Sequence, residues 1–203
     1  MIAVIDYGVG NLFSLCGSLF HLGADVCVTR DPLLIEAADH IILPGVGAFG
    51  DAIQKLRETN LIPCLQSCVQ KGTPILGICL GMQLLFDKSF EYGEHEGLGF
   101  IHGEVRSLKD VLPSTYKVPH MGWNSLDIQK DSPLFRYIDE GDYVYYVHSY
   151  YGAQCENSTL ATSSYGGCDI TGAVACGNVF GVQFHPEKSG KTGLLILKAF
   201  LEV

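Results

Sequence analysis

The sequence predicts an α/β fold: a mostly parallel central sheet flanked by helices, with antiparallel strands added in the C-terminal half. Three observations carry this. In the first half, short continuous apolar runs alternate with helical periodicity, as strands buried on both faces require. In the second half, strand-like segments follow one another across short turns. The 203 residues, 47% of them hydrophobic, fit a single domain, 1–203, around one core.

In order, residues 2–6 read as a buried strand and Gly8-Val9-Gly10-Asn11 as a turn. A helix follows from Leu12, with Gly23 as its stop. Residues 25–29 form the next strand, 32–38 a short helix, and 40–43 a third strand that ends in Pro44-Gly45-Val46-Gly47. Helices are expected over 48–58 and 61–71. Residues 73–78 are a continuous apolar strand, and a helix opens at once near Leu80. Residues 143–151, 159–164, 170–176 and 179–184 read as strands, with a tight hairpin at Cys176-Gly177-Asn178-Val179. A closing helix runs over 191–201. No internal repeat, low-complexity tract or linker interrupts the chain.

The net charge of −9 argues against nucleic acid as a partner, because phosphate binding needs clustered Lys and Arg. No apolar run approaches the ~20 residues that span a bilayer. The first residues lack the basic start and apolar stretch of a secretory signal, so the expected location is cytoplasmic, with no membrane partner. Of the eight cysteines, three sit where small apolar side chains belong: Cys16 shares a helical face with Leu12, Leu15 and Leu19, and Cys64 and Cys68 share a stripe with Leu61, Leu65 and Val69. Cys64 and Cys68 lack a second Cys or His pair at zinc spacing, so no metal is expected.

Gly77-Ile78-Cys79-Leu80-Gly81 is the sharpest feature. A strand runs straight into a helix, with Cys at the turn and Gly two residues to either side. This is a Gly-x-nucleophile-x-Gly elbow with Cys in place of Ser. The elbow lifts the sulfur out of the sheet, places it at a helix N-terminus that favours a thiolate, and aims the Leu80 N–H where an oxyanion would form. The bland alternative is a buried Cys flanked by chance glycines, in a chain with 24 Gly.

Phe184-His185-Pro186-Glu187 supplies a base and its orienter. Pro186 biases His185 towards an extended conformation, in which residues 185 and 187 point the same way. Glu187 can then fix the imidazole tautomer and stabilise the imidazolium. Alone, the pair reads more readily as a surface His beside a helix start, with Glu187 in the first turn. With a Cys elbow upstream, it reads as the rest of a catalytic triad. His21, His40, His95 and His102 show no partner pattern.

The segment GICLGMQLLF at 77–86, together with His185-Pro186-Glu187, resembles the class I glutamine amidotransferase family. Further segments resemble the members that pair with a TIM-barrel cyclase as a heterodimer: Ile5-Asp6-Tyr7-Gly8 with Gly10-Asn11-Leu12, LPGVGAF at 43–49, PHMGWN at 119–124, and Val147-His148-Ser149-Tyr150-Tyr151. The resemblance covers essentially the whole chain. It implies that the chain hydrolyses glutamine through a cysteine thioester, without a cofactor. The ammonia would pass through the barrel to a cyclase that makes imidazole glycerol phosphate and aminoimidazole carboxamide ribotide in histidine biosynthesis.

Carried over by motif, the resemblance implies Cys79, His185 and Glu187 as the triad. It implies Val46 and Leu80 as oxyanion donors through their backbone N–H groups. Gly47, Gln83, Glu91, Ser149 and Tyr150 would bind the substrate, Glu91 at its α-amino group and the Ser149-Tyr150 segment at its carboxylate. Asn11, His120, Met121, Trp123 and Asn124 would face the partner. For Trp123, the only Trp, the alternative is a core aromatic; its Gly and Asn neighbours favour an exposed loop and a contact surface. The rival functions are a stand-alone cysteine hydrolase, an inactive scaffold domain, and the glutaminase of another pathway. The 6–12 and 119–124 segments, which add nothing to the triad, decide against the last.

Overall fold

A computed structural model describes residues 1–203. Strand β1 (Ile2–Ile5) is buried throughout. Gly8 and Gly10 turn the chain at positive φ, and α1 (Leu12–His21) follows, ending before Gly23 at φ +75°. Strand β2 (Val26–Thr29) leads to α2 (Pro32–Glu36), which starts on a Pro and on the Asp31 carboxylate accepting from the Leu33 N–H. Strand β3 (His40–Gly45) runs two residues beyond its predicted end, because its pairing with the next parallel strand continues through Pro44 and Gly45. Helices α3 (Phe49–Glu58) and α4 (Ile62–Lys71) follow, the second closed by Gly72 at φ +86°. Strand β4 (Ile75–Cys79) passes directly into α5 (Leu80–Leu84).

The second half holds more strands than the sequence reading anticipated. Strands β5 (Phe86–Ser89), β6 (His95–Glu96) and β7 (Ile101–Ser107) precede β8 (His120–Ser125) and β9 (Asp127–Ile128). The strand expected over 143–151 is two strands, β10 (Tyr143–His148) and β11 (Tyr150–Ala153). They break at Ser149 and belong to different sheets, a division that continuous β-propensity hides. Strands β12 (Thr159–Tyr165), β13 (Cys168–Cys176) and β14 (Val179–Val182) come next, the last two joined across Gly177, φ +58°. Helix α6 (Gly190–Phe200) closes the chain. None of the helices is long and apolar enough to cross a membrane.

The main sheet has the order β2-β1-β3-β4-β14-β13-β12-β9. From β2 to β14 the strands are parallel; β13, β12 and β9 then continue antiparallel. Strand β14 is thus part of the parallel portion, although it enters through a hairpin. Two smaller sheets, β11-β7-β5-β6 and β10-β8, complete the molecule.

Neighbouring residues on the central strands feed opposite cores. Ala3, Ile5, Ile41 and Leu43 pack with Ile35 of α2, Ile53 and Leu56 of α3, and Leu65 of α4. Ile2, Val4, Ile42 and Leu76 pack with Leu15 and Leu19 of α1 and with Ile196 and Phe200 of α6. A sheet covered on both faces therefore ends in open crevices only at its strand tips, and the carboxyl tips are where α/β sheets place their sites.

Candidate active site

Cys79 is the last residue of β4 and adopts φ 55°, ψ −110°. A side-chain-bearing residue rests there only when its surroundings enforce it. The enforcement is close passage of three backbones. A Cβ on Gly77 would lie 2.7 Å from the Gly81 carbonyl carbon and from the Met82 nitrogen. One on Gly81 would overlap the Leu43 carbonyl oxygen, and one on Gly45 would lie 2.7 Å from the Gly81 nitrogen. The elbow thus has a third glycine, Gly45, contributed by β3 opposite Cys79 in the ladder. Helix α5 is only five residues long, so the dipole at its N-terminus is small.

Cys79 is at the floor of a cleft of about 330 Å³. His185 lies beside it, just past β14, and its Nδ1 sits 2.8 Å from Glu187 Oε1. The extended backbone of His185, φ −98° and ψ 99°, is the conformation that Pro186 favours. Burial opposes charge on this ring most strongly. Hydrogen bonding to the Cys79 sulfur and to Glu187 overrides it and holds the His185 pKa up at about 9. The arrangement can therefore hold an imidazolium beside the Cys79 sulfur, its other edge neutralised by a carboxylate.

Val46, Gly47, Leu80 and Gln83 line the cleft, as do Glu91, Ser149 and Tyr150. Val46 follows the residue paired with Cys79, so its backbone runs alongside the elbow. Gly47 takes φ +97° with nothing near the position of a Cβ. Glu91 is buried, and its Oε2 accepts the Phe49 N–H at 2.7 Å, which caps α3. Burial raises the Glu91 pKa, with the Phe49 hydrogen bond opposing. The carboxylate is thus held at the cleft edge with one oxygen already anchored. No cluster of three or more His, Cys, Asp or Glu side chains is placed to hold a metal ion.

The segment at 119–124 departs from the expected exposed loop. It is strand β8, paired with β10, so its side chains alternate. Met121 and Trp123 are 61% and 55% exposed, whereas His120 is buried. His120 therefore does not face a partner. Its Nδ1 meets His148 Nε2 at 3.0 Å, and its ring stacks between Tyr146 and Tyr165. Asn124 is tied inward to the Ser164 carbonyl, and Asn11 donates to Ser14 Oγ. His148 Nδ1 faces the Tyr150 carbonyl at 2.8 Å. Because a carbonyl only accepts, the proton is on Nδ1 and His148 Nε2 accepts from His120. Burial pushes His120 down to about 4 and His148 to about 3, so the pair is neutral at pH 7.

Two residues escaped the sequence reading, one lining the cleft and one buried behind Cys79. Lys188, directly after the His-Pro-Glu run, lines the opening. Gln183 is fully buried, with its Nε2 3.8 Å from Cys79 Sγ. The signal for Gln183 was present: it is a polar residue in an apolar run, two positions before His185 and so on the same side of the strand.

The profile of the class I glutamine amidotransferase family matches residues 3–202. The chain belongs to that family. Among curated proteins it is 50% identical over 200 residues to the imidazole glycerol phosphate synthase subunit HisH of Bacillus cereus, covering 98% of this chain and 93% of that one. It is also 50% identical over 203 residues to the HisH subunit of Oceanobacillus iheyensis, covering 100% and 99% of the two chains. With the HisH subunit of Lactococcus lactis the identity is 47%, covering 99% and 98%. Among solved structures, a crystal structure of a glutamine amidotransferase superposes with a TM-score of 0.76 at 18% identity, covering 100% of this chain and 98% of that one. PurLQS from Thermotoga maritima superposes at 0.74 and 18%, covering 99% and 97%. These two show the same fold.

Proposed function

We propose that the chain is a single glutamine amidotransferase domain that hydrolyses glutamine to glutamate and ammonia. The ammonia passes to a TIM-barrel cyclase subunit, with which the chain forms a heterodimer. The complex makes imidazole glycerol phosphate and aminoimidazole carboxamide ribotide. The observation that carries the hydrolase reading is Cys79 on its strained elbow beside a His185–Glu187 pair. The cyclase partner is supported by identity near 50%, over whole chains, to proteins named for that synthase, and by exposed Met121 and Trp123 on β8.

The chemistry follows from the geometry. Glutamine enters with its α-amino group towards Glu91 and its α-carboxylate towards the Ser149-Tyr150 segment. The Cys79 sulfur attacks the side-chain amide carbon, and the N–H groups of Val46 and Leu80 take up the charge that develops on oxygen. His185 gives its Nε2 proton to the departing nitrogen, the C–N bond breaks, and ammonia leaves. Water then loses a proton to His185 and attacks the thioester. The C–S bond breaks, and glutamate and the thiolate return. Throughout, Glu187 compensates the imidazolium and keeps Nδ1 protonated.

The test uses the separable halves of the reaction. Cys79→Ala should lose glutamine hydrolysis, while the partnered cyclase should still turn over with added ammonia, since only ammonia release needs the thiolate. Glutamate production by Cys79→Ala at the wild-type rate would remove the proposal. So would loss of the ammonia-dependent reaction in a variant that still assembles with the cyclase, because the two activities would then share one site.

A further inference from the structure

The position of Gln183 follows from the central ladder. Strand β14 runs parallel to β4 with Gly181 opposite Gly77 and Val182 opposite Ile78, so the next step brings Gln183 level with Cys79. There its Nε2 is 3.8 Å from the sulfur, within hydrogen-bonding reach of so large an acceptor. The direction of that amide is fixed from outside. The Tyr150 carbonyl can only accept, so Gln83 turns its NH2 group towards it at 2.9 Å. The same Nε2 also donates to Gln183 Oε1 at 3.0 Å. With its oxygen thus occupied, Gln183 must direct its nitrogen at Cys79. One backbone carbonyl orients two amides in series, and the series ends on the reacting atom.

We infer that Gln183 is a positioning residue for the glutaminase reaction: its amide N–H holds the Cys79 sulfur at the cleft floor and favours the anionic sulfur, and Gln83 sets the direction of that N–H. The inference rests on Cys79 being the nucleophile. A thiolate is a better acceptor than a thiol or a thioester sulfur, so a fixed donor favours the charged form. The sulfur loses charge when its bond to the glutamyl carbon forms and regains it when that bond breaks. Gln183 therefore acts at both ends of the thioester's life and donates no proton to either step.

The ionisable groups next to Cys79 are His185 and Tyr7; Glu91, His148 and Lys188 line the same cleft. Gln183→Met leaves all of them in place, keeps the volume and removes only the amide. The experiment is the rate of iodoacetamide alkylation at Cys79 against pH, followed by mass spectrometry of the Cys79 peptide. It is run on the full chain as wild type, Gln183→Met and Gln83→Met, each checked for cooperative thermal unfolding. The midpoint should rise by about one pH unit in Gln183→Met. It should rise less in Gln83→Met, which frees the amide to turn without removing it. Glutaminase kcat should fall in Gln183→Met with KM little changed, because the amide meets the sulfur. An unmoved midpoint in folded Gln183→Met overturns the inference; should that variant fail to fold, an unmoved midpoint in Gln83→Met overturns it. A dead Cys79→Ala beside an unmoved Gln183→Met midpoint removes this inference alone. An active Cys79→Ala removes the proposed function itself.

Discussion

Glu187 accepts a hydrogen bond from His185 across 2.8 Å, and both side chains are only 4% exposed. The ring is thereby kept in one tautomer, with Nε2 turned to Cys79. His185 should titrate near pH 9 in the free chain, followed by the NMR shift of its ring protons. Glu187→Gln and Cys79→Ala should each lower that midpoint. The folded pKa lies above the ordinary value near 6.5, so the stabilisation is complete below about pH 6.5 and is lost as pH rises towards 9. Thermal stability of wild type should fall across that window more steeply than that of Glu187→Gln. In turnover, His185→Ala should cost on the order of 10⁴-fold or more in kcat. Glu187→Gln should cost less, since the amide oxygen still orients the ring. His148 offers no replacement base, as both its ring nitrogens are committed and burial pushes it down to about 3.

The elbow's glycines predict a stability effect that cannot be separated from activity. Gly81→Ala would drive a methyl into the Leu43 carbonyl, and the backbone there cannot retreat without breaking the β3–β4 ladder. The expected loss is ~4 kcal/mol or more, the range of severe overpacking and backbone strain. Urea titration measures it. A Gly81→Ala chain as stable as wild type would mean that the three backbones pass farther apart than they are placed here.

Cysteine labelling should separate recognition from exposure. Cys79 is buried at 7% exposure, whereas Cys176 is exposed and Cys16, Cys27 and Cys168 are half-buried. Cys79 therefore does not stand out by exposure, although the elbow lifts its sulfur out of the sheet; what distinguishes it is its place at the cleft floor beside His185. A small general alkylator should reach Cys176 as well. A glutamine-shaped chloroketone should instead modify Cys79 selectively. Cys64 and Cys68 should stay unlabelled, because burial pushes Cys64 up to about 12 and raises Cys68 too. Equal labelling of Cys68 and Cys79 by the glutamine analogue, read by mass spectrometry, would contradict this.

Much of this was legible in the chain because the parallel half is local. Each apolar run from Ile2 to Cys79 is bounded by its own turn residues, and the elbow declares itself through glycines at fixed offsets. What was not legible is long-range. Residues 143–151 have one unbroken β pattern, yet pairing with β8 claims one part and pairing with β7 the other. The 119–124 segment reads as a loop because Gly122 and Asn124 are poor strand formers, and only β10 makes it a strand. Gly45 carries no local mark as an elbow residue; its role exists only where β3 meets Gly81. The buried His120–His148 pair, 28 residues apart, is invisible for the same reason.

The loop after β3 offers the last test. Gly45 lies opposite Cys79, so the Val46 peptide runs alongside the elbow, and in the proposed mechanism its N–H is the second oxyanion donor beside that of Leu80. Gly47 follows at φ +97° with open space where a Cβ would sit. A peptide next to such a residue can turn over with little steric resistance. If it rests with its carbonyl towards the substrate, the oxyanion hole is half built and glutamine is spared until the cyclase has an acceptor. Completing the hole should then raise kcat by about 100- to 1,000-fold, the usual effect of one such donor. The measurement is glutaminase kcat for the isolated chain, for the complex with the cyclase, and for that complex with a cyclase ligand. Similar values in all three would eliminate the switch. Gly45→Ala is no test of it, because the added methyl meets the Gly81 backbone at 2.7 Å and would damage the elbow directly. Gly47→Ala meets no protein atom and acts on backbone preference: a non-glycine residue at that φ costs about 1–3 kcal/mol, enough to shift the balance between two such peptide states. The ratio of activated to basal kcat should therefore change in Gly47→Ala while Cys79 alkylation stays as in wild type. An unchanged ratio would place the control elsewhere, with exposed Trp123 and Met121 on β8 the next residues to substitute.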